Sequence, residues 1–161
     1  MRLTVAAAVA LVLTFASVAR AQGNMSYGTS ITAEAAKKLA APAIAEAKKN
    51  NWSMAIAIVD IAGELVYFEK MDDTQAGSVN ISIDKARSAA RFKRPTKAFQ
   101  DLVAGGGVGL RVLTLRGAIA VEGGLPIVVD GKIIGAFGVS GGSSEQDGAI
   151  AKAALDGLAA K

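Results

Sequence analysis

The chain has 161 residues, of which 52% are hydrophobic, and a formal net charge of +4, and it contains neither cysteine nor histidine. These two absences exclude disulfides, thiol chemistry, histidine-dependent catalytic triads and the commonest ligands of zinc. Aromatic residues make up only 5% of the chain, which argues against extended surfaces for stacking sugars or bases.

The N-terminal segment, residues 1–21, is predicted to be a cleaved signal peptide. Arg2 precedes an almost wholly apolar run over 3–18, and Ala19-Arg20-Ala21 is an A-x-A cleavage site. Because this run is too short and wrongly flanked for a stable membrane span, we expect export to the periplasm or the exterior; an uncleaved N-terminal anchor is the alternative. Two of the basic residues lie in this segment, so the charge does not indicate a nucleic-acid partner.

The rest of the chain is predicted to be a flexible lead (22–29) followed by one domain (30–160). Thr32 is expected to cap a helix over 33–50, with a kink at Pro42. Further strands are predicted at 54–60, 65–70, 112–115, 118–121, 126–129 and 132–140, and further helices at 77–92, 96–103 and 144–158. Because strands follow one another directly, we predict an α/β domain of the α+β type, with helices packed on a mainly antiparallel sheet.

Two glycine-containing turns frame the last strand. Asp130-Gly131 lies between two β-branched runs, which predicts a hairpin with a type I′ turn. Ser143 and Gln146 form a capping box after a serine- and glycine-rich turn, and the helix N-terminus there could hold an anion. The other glycine-rich stretch, 105–109, lacks the lysine and the strand–loop–helix context of a phosphate-binding loop, so we expect a flexible lip or a linker.

A basic stretch is the first candidate binding site. Residues 85–97 contain six basic residues and no acidic residue, and Arg87, Arg91 and Arg94 recur at i, i+4 and i+7. This spacing predicts one helix face that could grip carboxylates through bidentate hydrogen bonds. The alternative is a solvated face or a surface for salt bridges between subunits.

The order of several short segments resembles the GlcG/HbpS family, a haem-binding and haem-degrading domain also found at the C-terminus of PduO-type proteins. The segments that carry the resemblance are 39–40 (LA), 57–65 (AIVDIAGEL), 71–72 (MD), 82–86 (SIDKA), 94–96 (RPT), 122–127 (EGGLPI), 138–141 (GVSG) and 145–147 (EQD). The resemblance implies a profilin-like or PAS-like domain with a five-stranded antiparallel sheet flanked by helices. It also implies homo-oligomers, often octamers built from dimers.

The RPT segment matches the family pattern, so Arg94 and Thr96 are the preferred ligand-binding residues of the basic stretch. For Thr96, capping of the following helix is the alternative role.

Glu122 is the candidate catalytic residue, because a carboxylate beside the bare backbone of Gly123 and Gly124 could act as a base. The alternative is a backbone bulge with Glu122 paired to an arginine. Arg111 and Thr114 complete the predicted ligand-binding set, and no metal site is predicted. Without histidine, a bound haem would need Thr114, Tyr67, a methionine or water as its axial ligand.

Three functions remain open at this point. The first is an exported haem-binding protein, with haem degradation or sensing as an added role. The second is an enzyme or accessory subunit acting on a small hydroxy acid or diol. The third is an oligomeric domain without catalysis.

Overall fold

A computed structural model describes residues 25–159 of the chain. The elements are α1 (Ala33–Lys49), β1 (Ala55–Val59), β2 (Leu65–Lys70), α2 (Ser78–Phe92), α3 (Lys97–Ala104), a 3-10 helix (Gly107–Thr114), β3 (Gly124–Val129), β4 (Lys132–Ser140) and α4 (Ser144–Ala159). The predicted signal peptide and its cleavage site lie outside the described residues. Within residues 25–159, none of the helices has the length and apolar character that crossing a bilayer requires.

The sheet is antiparallel, with the strand order β2-β1-β4-β3. It has four strands in the described part of the chain, so the prediction of five is wrong. The predicted strand over 112–115 falls mostly in the 3-10 helix, and residues 118–121 form no strand. Gly106 and Gly107 both take positive φ angles, which turns the chain into the 3-10 helix before an extended segment can begin.

The lead segment is tied to the sheet beyond the end of β1. Ile133 donates a backbone hydrogen bond to Ser26, Gly28 donates one to Ile133, and Ile31 donates one to Ile134. The lead therefore occupies the edge of β4 that β1 leaves open.

Helices cover both faces of the sheet. One apolar cluster joins α1 and α4 to the sheet, and a second joins α2 to it through small side chains. The second contact is very close: a Cβ added to Gly138 of β4 would lie 2.1 Å from the Ser82 carbonyl oxygen of α2. Glycine is therefore required at 138, and α2 lies directly on the sheet.

Local sequence signals account for several helix and strand ends. Thr32 caps α1 by accepting a hydrogen bond from the Ala35 amide at 3.2 Å, and α1 continues through Pro42. Asp130 and Gly131 both have positive φ, as the hairpin turn requires. The predicted capping box is also present, because the Ser143 and Gln146 side chains each accept a hydrogen bond from the other's amide.

Candidate functional site

Two of the predicted arginines, Arg87 and Arg91, lie one helical turn apart on α2 beside the turn between β1 and β2. The Arg87 Nε–H donates to the Gly63 carbonyl at 3.2 Å, and the Arg91 Nε–H donates to the Ala62 carbonyl at 2.9 Å. Because each Nε is engaged with the turn, both guanidinium groups are held in defined orientations.

The same two arginines line a cavity of about 280 Å³. The remaining lining residues are Asp84 on α2 and the segment Gly117, Ala118 and Ile119. This segment is fastened to α2, since the Ile119 amide donates to the Ser88 hydroxyl at 3.0 Å. The cavity thus has one wall of charged helix side chains and one wall of small residues and backbone.

Carboxylates partly balance the charge of the arginine pair. Asp84 Oδ1 lies 3.8 Å from Arg87 Nη1, and Glu64 Oε1 lies 3.4 Å from Arg91 Nη2. All four side chains are at least about one-third exposed, so these ion pairs are weak and can rearrange around a bound anion.

Arg94 does not share this face, and the prediction that it does is wrong. Helix α2 ends at Phe92, and Lys93 adopts a left-handed conformation. The Arg94 Nε–H then donates to the Phe92 carbonyl at 3.1 Å, and its guanidinium carbon lies 5.4 Å from the centre of the Phe99 ring. The i+7 spacing applies only within a continuous helix, and the helix stops before Arg94.

Thr96 is completely buried and holds the start of β3. Its amide donates to the Gly124 carbonyl at 3.0 Å, and its hydroxyl accepts a hydrogen bond from the Gly124 amide at 2.9 Å. Thr96 occupies the N-cap position of α3 as predicted, but its side chain makes no capping hydrogen bond to that helix. At the start of β3, Thr96 therefore makes the hydrogen bonds that a neighbouring strand would otherwise make.

A buried ion pair that the sequence analysis missed lies beneath Gly123 and Gly124. Lys85 Nζ is 2.6 Å from Asp147 Oδ2, with side-chain exposures of 1% and 4%. A Cβ added to Gly123 would lie 3.0 Å from Lys85 Nζ, and one added to Gly124 would lie 2.4 Å from the Lys85 carbonyl oxygen. The two glycines therefore allow the chain to pass over the ion pair, and neither lines the cavity.

Burial raises the pKa of Asp147, whereas the Lys85 ammonium and the Gly142 and Gly141 amides act in the opposite direction. The Gly142 amide donates to Asp147 Oδ1 at 3.1 Å. At the start of α4, this carboxylate and the capping box together accept hydrogen bonds from the Gly142, Ser143 and Gln146 amides. The Asp147 carboxylate is therefore the anion bound at this turn.

Glu122 lies away from the cavity arginines. Its amide donates to Gln100 Oε1 at 2.8 Å, and its carboxylate lies against Gly148 of α4, where a Cβ would be 2.3 Å from Oε1. It also acts on Lys97, whose pKa is raised mainly by a hydrogen bond to Asp101, with Glu122 adding to the effect. Among residues 25–159, Arg87 and Arg91 pair with Asp84 and Glu64, and no arginine pairs with Glu122.

Arg111 and Thr114 are exposed on the 3-10 helix, and the Thr114 hydroxyl donates to the Arg111 carbonyl at 2.8 Å. The same region exposes several large apolar side chains, which we call the apolar patch: Leu102, Val108, Leu110, Leu113 and Leu115. Val108 is 85% exposed and Leu113 is 67% exposed. Such a concentration of exposed apolar side chains is typical of an interaction surface.

Tyr67, the other predicted oxygen donor, lies half-buried on β2. Its hydroxyl donates to the Glu69 carboxylate, which raises the pKa of Tyr67 to about 12. Neither Tyr67 nor Thr114 lines the arginine cavity.

The fold is an α+β domain with an antiparallel sheet, and it carries a small cavity lined by two arginines. A family model described as haem-degrading protein HbpS-like matches residues 31–156. The chain belongs to this family, as the ordered segments predicted.

Three related proteins illustrate the likeness. Protein GlcG of Escherichia coli K12 is 45% identical over 95 residues, which cover 59% of this chain and 69% of GlcG. The crystal structure of Klebsiella pneumoniae ORFY is 34% identical with a TM-score of 0.76, covering 86% of this chain and 97% of ORFY. The crystal structure of a PduOC:heme complex is 28% identical with a TM-score of 0.71, covering 80% of this chain and 94% of PduOC.

Proposed function

We propose that this protein is an exported binding protein for haem, or for a similar ligand that carries carboxylates, and that Arg87 and Arg91 grip a carboxylate of the ligand. The observation that carries the proposal is the pair of oriented guanidinium groups on one wall of the 280 Å³ cavity. Planar guanidinium groups match carboxylates through paired hydrogen bonds. The HbpS-like family and the haem complex of PduOC support haem as the ligand.

The described residues are better suited to binding the propionate groups of haem than to coordinating its iron. The cavity supplies cationic donors, whereas Tyr67 and Thr114 direct their hydroxyls to other protein groups. The cavity volume is at the lower end of small-molecule sites, which suits one propionate arm with the ring lying outside. Leu115 of the apolar patch is exposed and lies two residues before Gly117 in the chain, so it offers an apolar surface for that ring.

Catalysis is not part of this proposal. Glu122, the candidate base, is not among the residues that line the cavity. Arg94, Thr96, Arg111, Thr114, Gly123 and Gly124 are likewise outside the lining. Their places in the structure support roles in holding the fold or in the exposed surface of the 3-10 helix.

The small volume also favours the second candidate, a small organic acid bound entirely within the cavity. A free hydroxy acid would use the same arginines and would not need the apolar patch. Dependence of binding on the apolar patch therefore distinguishes haem from a small acid, whereas both ligands depend on the arginines.

Self-association is a further part of the proposal. The 3-10 helix packs within the chain chiefly on α3, which leaves Val108 and Leu113 facing solvent. A second copy of the chain would remove these side chains from water, and closed homo-oligomers are the commonest assemblies.

Titration with haem, followed at the Soret band, tests the binding function. We expect a saturable, stoichiometric shift that weakens at least about tenfold in Arg87→Gln/Arg91→Gln, because two charge-assisted contacts are lost. Lys152→Gln, an exposed charge on the opposite face of the sheet, is the control. If binding does not saturate, or if the double variant binds like the control, the haem proposal is wrong and small carboxylic acids become the next ligands to test.

A further inference from the structure

We infer that Asp84 makes the arginine cavity selective for a single, singly charged carboxylate group and against ligands with two negative charges. This inference rests on the proposed function, since it assumes that Arg87 and Arg91 bind a carboxylate. It adds a specificity-determining residue and a charge class to that site.

The first support is the charge of the cavity wall. The lining residues comprise two guanidinium groups and one carboxylate, so the wall has a net charge of +1. A single carboxylate neutralises this wall. A second negative charge in the same small cavity would have no cation left to balance it.

The second support is the location of Asp84 within the lining. It lies one helical turn before Arg87, and its Oδ1 is 3.8 Å from Arg87 Nη1, which is longer than a hydrogen bond. Arg87 Nη1 is therefore not hydrogen-bonded to Asp84 and is available to a ligand, while the Nε–H bond to Gly63 keeps the guanidinium group in place. Glu64 also pairs with an arginine, but it lies on the β1–β2 turn outside the lining and is 68% exposed.

The third support is the rigidity of α2. The helix lies directly on β4 through Ala86, Ala89 and Gly138, and its arginines are fastened to the β1–β2 turn. Asp84 cannot move away from the cavity by a shift of the helix. Because its side chain is 46% exposed, solvent screens its repulsion, and we expect discrimination of about fivefold rather than complete exclusion.

The recognised group is the same whether it is a propionate arm of haem or a free small acid. The measurement therefore uses propionate as the singly charged probe, with sulfate and malonate as probes that carry two charges. Binding is followed by NMR through the amide signals of Gly117, Ala118 and Ile119 at constant ionic strength, because salt screens such interactions. In a separate titration, haem is added to the propionate-bound protein and displacement of propionate is measured.

We expect propionate to bind about fivefold more tightly than sulfate or malonate, and Asp84→Asn to remove this preference by strengthening binding of the doubly charged probes. Asp156→Asn removes the same charge from α4, on the other face of the sheet, and should leave the preference unchanged. The inference is overturned if the unmodified protein binds sulfate as tightly as propionate, or if both variants change the preference equally.

Failure of the proposed function looks different. Propionate would then leave the three amide signals unmoved, and Arg87→Gln would have no effect on any probe. If propionate binds with the expected preference and haem does not displace it, the free acid is the ligand source and the inference on Asp84 stands.

Discussion

Lys85 Nζ and Asp147 Oδ2 lie 2.6 Å apart, almost completely out of contact with solvent, and join α2 to the first turns of α4. The two helices pack mainly against opposite faces of the sheet, so this ion pair is a direct link between the two layers at the start of β3. Gly123 and Gly124 pass over it with no room for a side chain.

Removing one partner of this pair should strongly destabilise the fold. We expect Lys85→Met to lower the free energy of unfolding by about 3–5 kcal/mol, because it leaves Asp147 buried without its counter-ion. Urea denaturation measures this loss. The double variant Lys85→Met/Asp147→Leu should recover much of it, and Lys152→Met should change stability by less than about 1 kcal/mol. A single variant as stable as the exposed control would contradict this account.

Gly63 should be required both for the β1–β2 turn and for the arginine cavity. Its φ is +86°, and a Cβ there would lie 2.6 Å from Arg91 Nε. We therefore expect Gly63→Ala to cost about 1–3 kcal/mol of stability and also to weaken ligand binding by displacing Arg91. Calorimetric titration alongside thermal unfolding separates the two effects.

Gly131→Ala is the matched control for Gly63→Ala. Gly131 also has a positive φ, +72°, but a Cβ there meets no atom within 4 Å. It should lose stability and retain full ligand affinity. Equal losses of affinity in the two variants would show that the turn does not position Arg91.

Thr96 should matter for stability and not for ligand binding. Replacing it with valine removes the acceptor of the buried Gly124 amide, which should cost about 1–3 kcal/mol. Thr96→Ser keeps the hydroxyl and should lose less. A chemical denaturation series on the three proteins, paired with the haem titration, checks both statements; a selective loss of binding in Thr96→Val would restore the ligand role predicted from the sequence.

The pKa of Tyr67, raised to about 12, has a measurable consequence in alkali. Its hydroxyl is the donor in the bond to Glu69, so the folded protein favours the neutral phenol over the phenolate. The stability contributed by this bond is complete below pH 10, the ordinary value, and is lost between pH 10 and about 12.

Absorbance at the phenolate band, recorded across the alkaline range, follows this titration. The chain has two tyrosines, so Tyr67→Phe identifies the late component. Glu69→Gln should move that component toward lower pH, because the carboxylate that disfavours the phenolate is gone. An unchanged curve in Glu69→Gln would show that the hydrogen bond does not control the pKa.

The apolar patch should control self-association. We expect Val108→Ser/Leu113→Ser to lower the mass measured by analytical ultracentrifugation, because it removes the two most exposed members of the patch. Leu65→Ser, an exposed leucine on β2, is the control and should leave the mass unchanged. An unmodified protein that sediments as a monomer would overturn the proposal.

The sequence predicted the elements whose signals are local. The Thr32 cap, the Asp130-Gly131 turn and the Ser143–Gln146 capping box each depend on residues close together in the chain, and all three are present. Arg87 and Arg91 were also identified correctly as neighbours, since both lie within one continuous helix.

What the sequence did not predict depends on contacts between distant segments. Nothing near Lys85 marks it as the partner of Asp147, 62 residues away. Helical spacing misplaces Arg94 because this residue lies beyond Phe92, where both the predicted helix and the observed α2 end. The strand predicted over 112–115 is absent because its apolar residues, which fit a strand pattern, lie mostly in the 3-10 helix that follows Gly106 and Gly107.

The hydrogen bonds from Arg87 and Arg91 to the β1–β2 turn have a thermodynamic consequence. A free arginine side chain loses rotamer entropy when it closes on a ligand, at about 0.5–1.5 kcal/mol for each such side chain. Here much of that ordering takes place when the chain folds, because the carbonyls of Ala62 and Gly63 already restrict both side chains. The guanidinium pair is therefore preorganised, so less of the free energy of each ligand contact is lost to side-chain ordering and the affinity is higher.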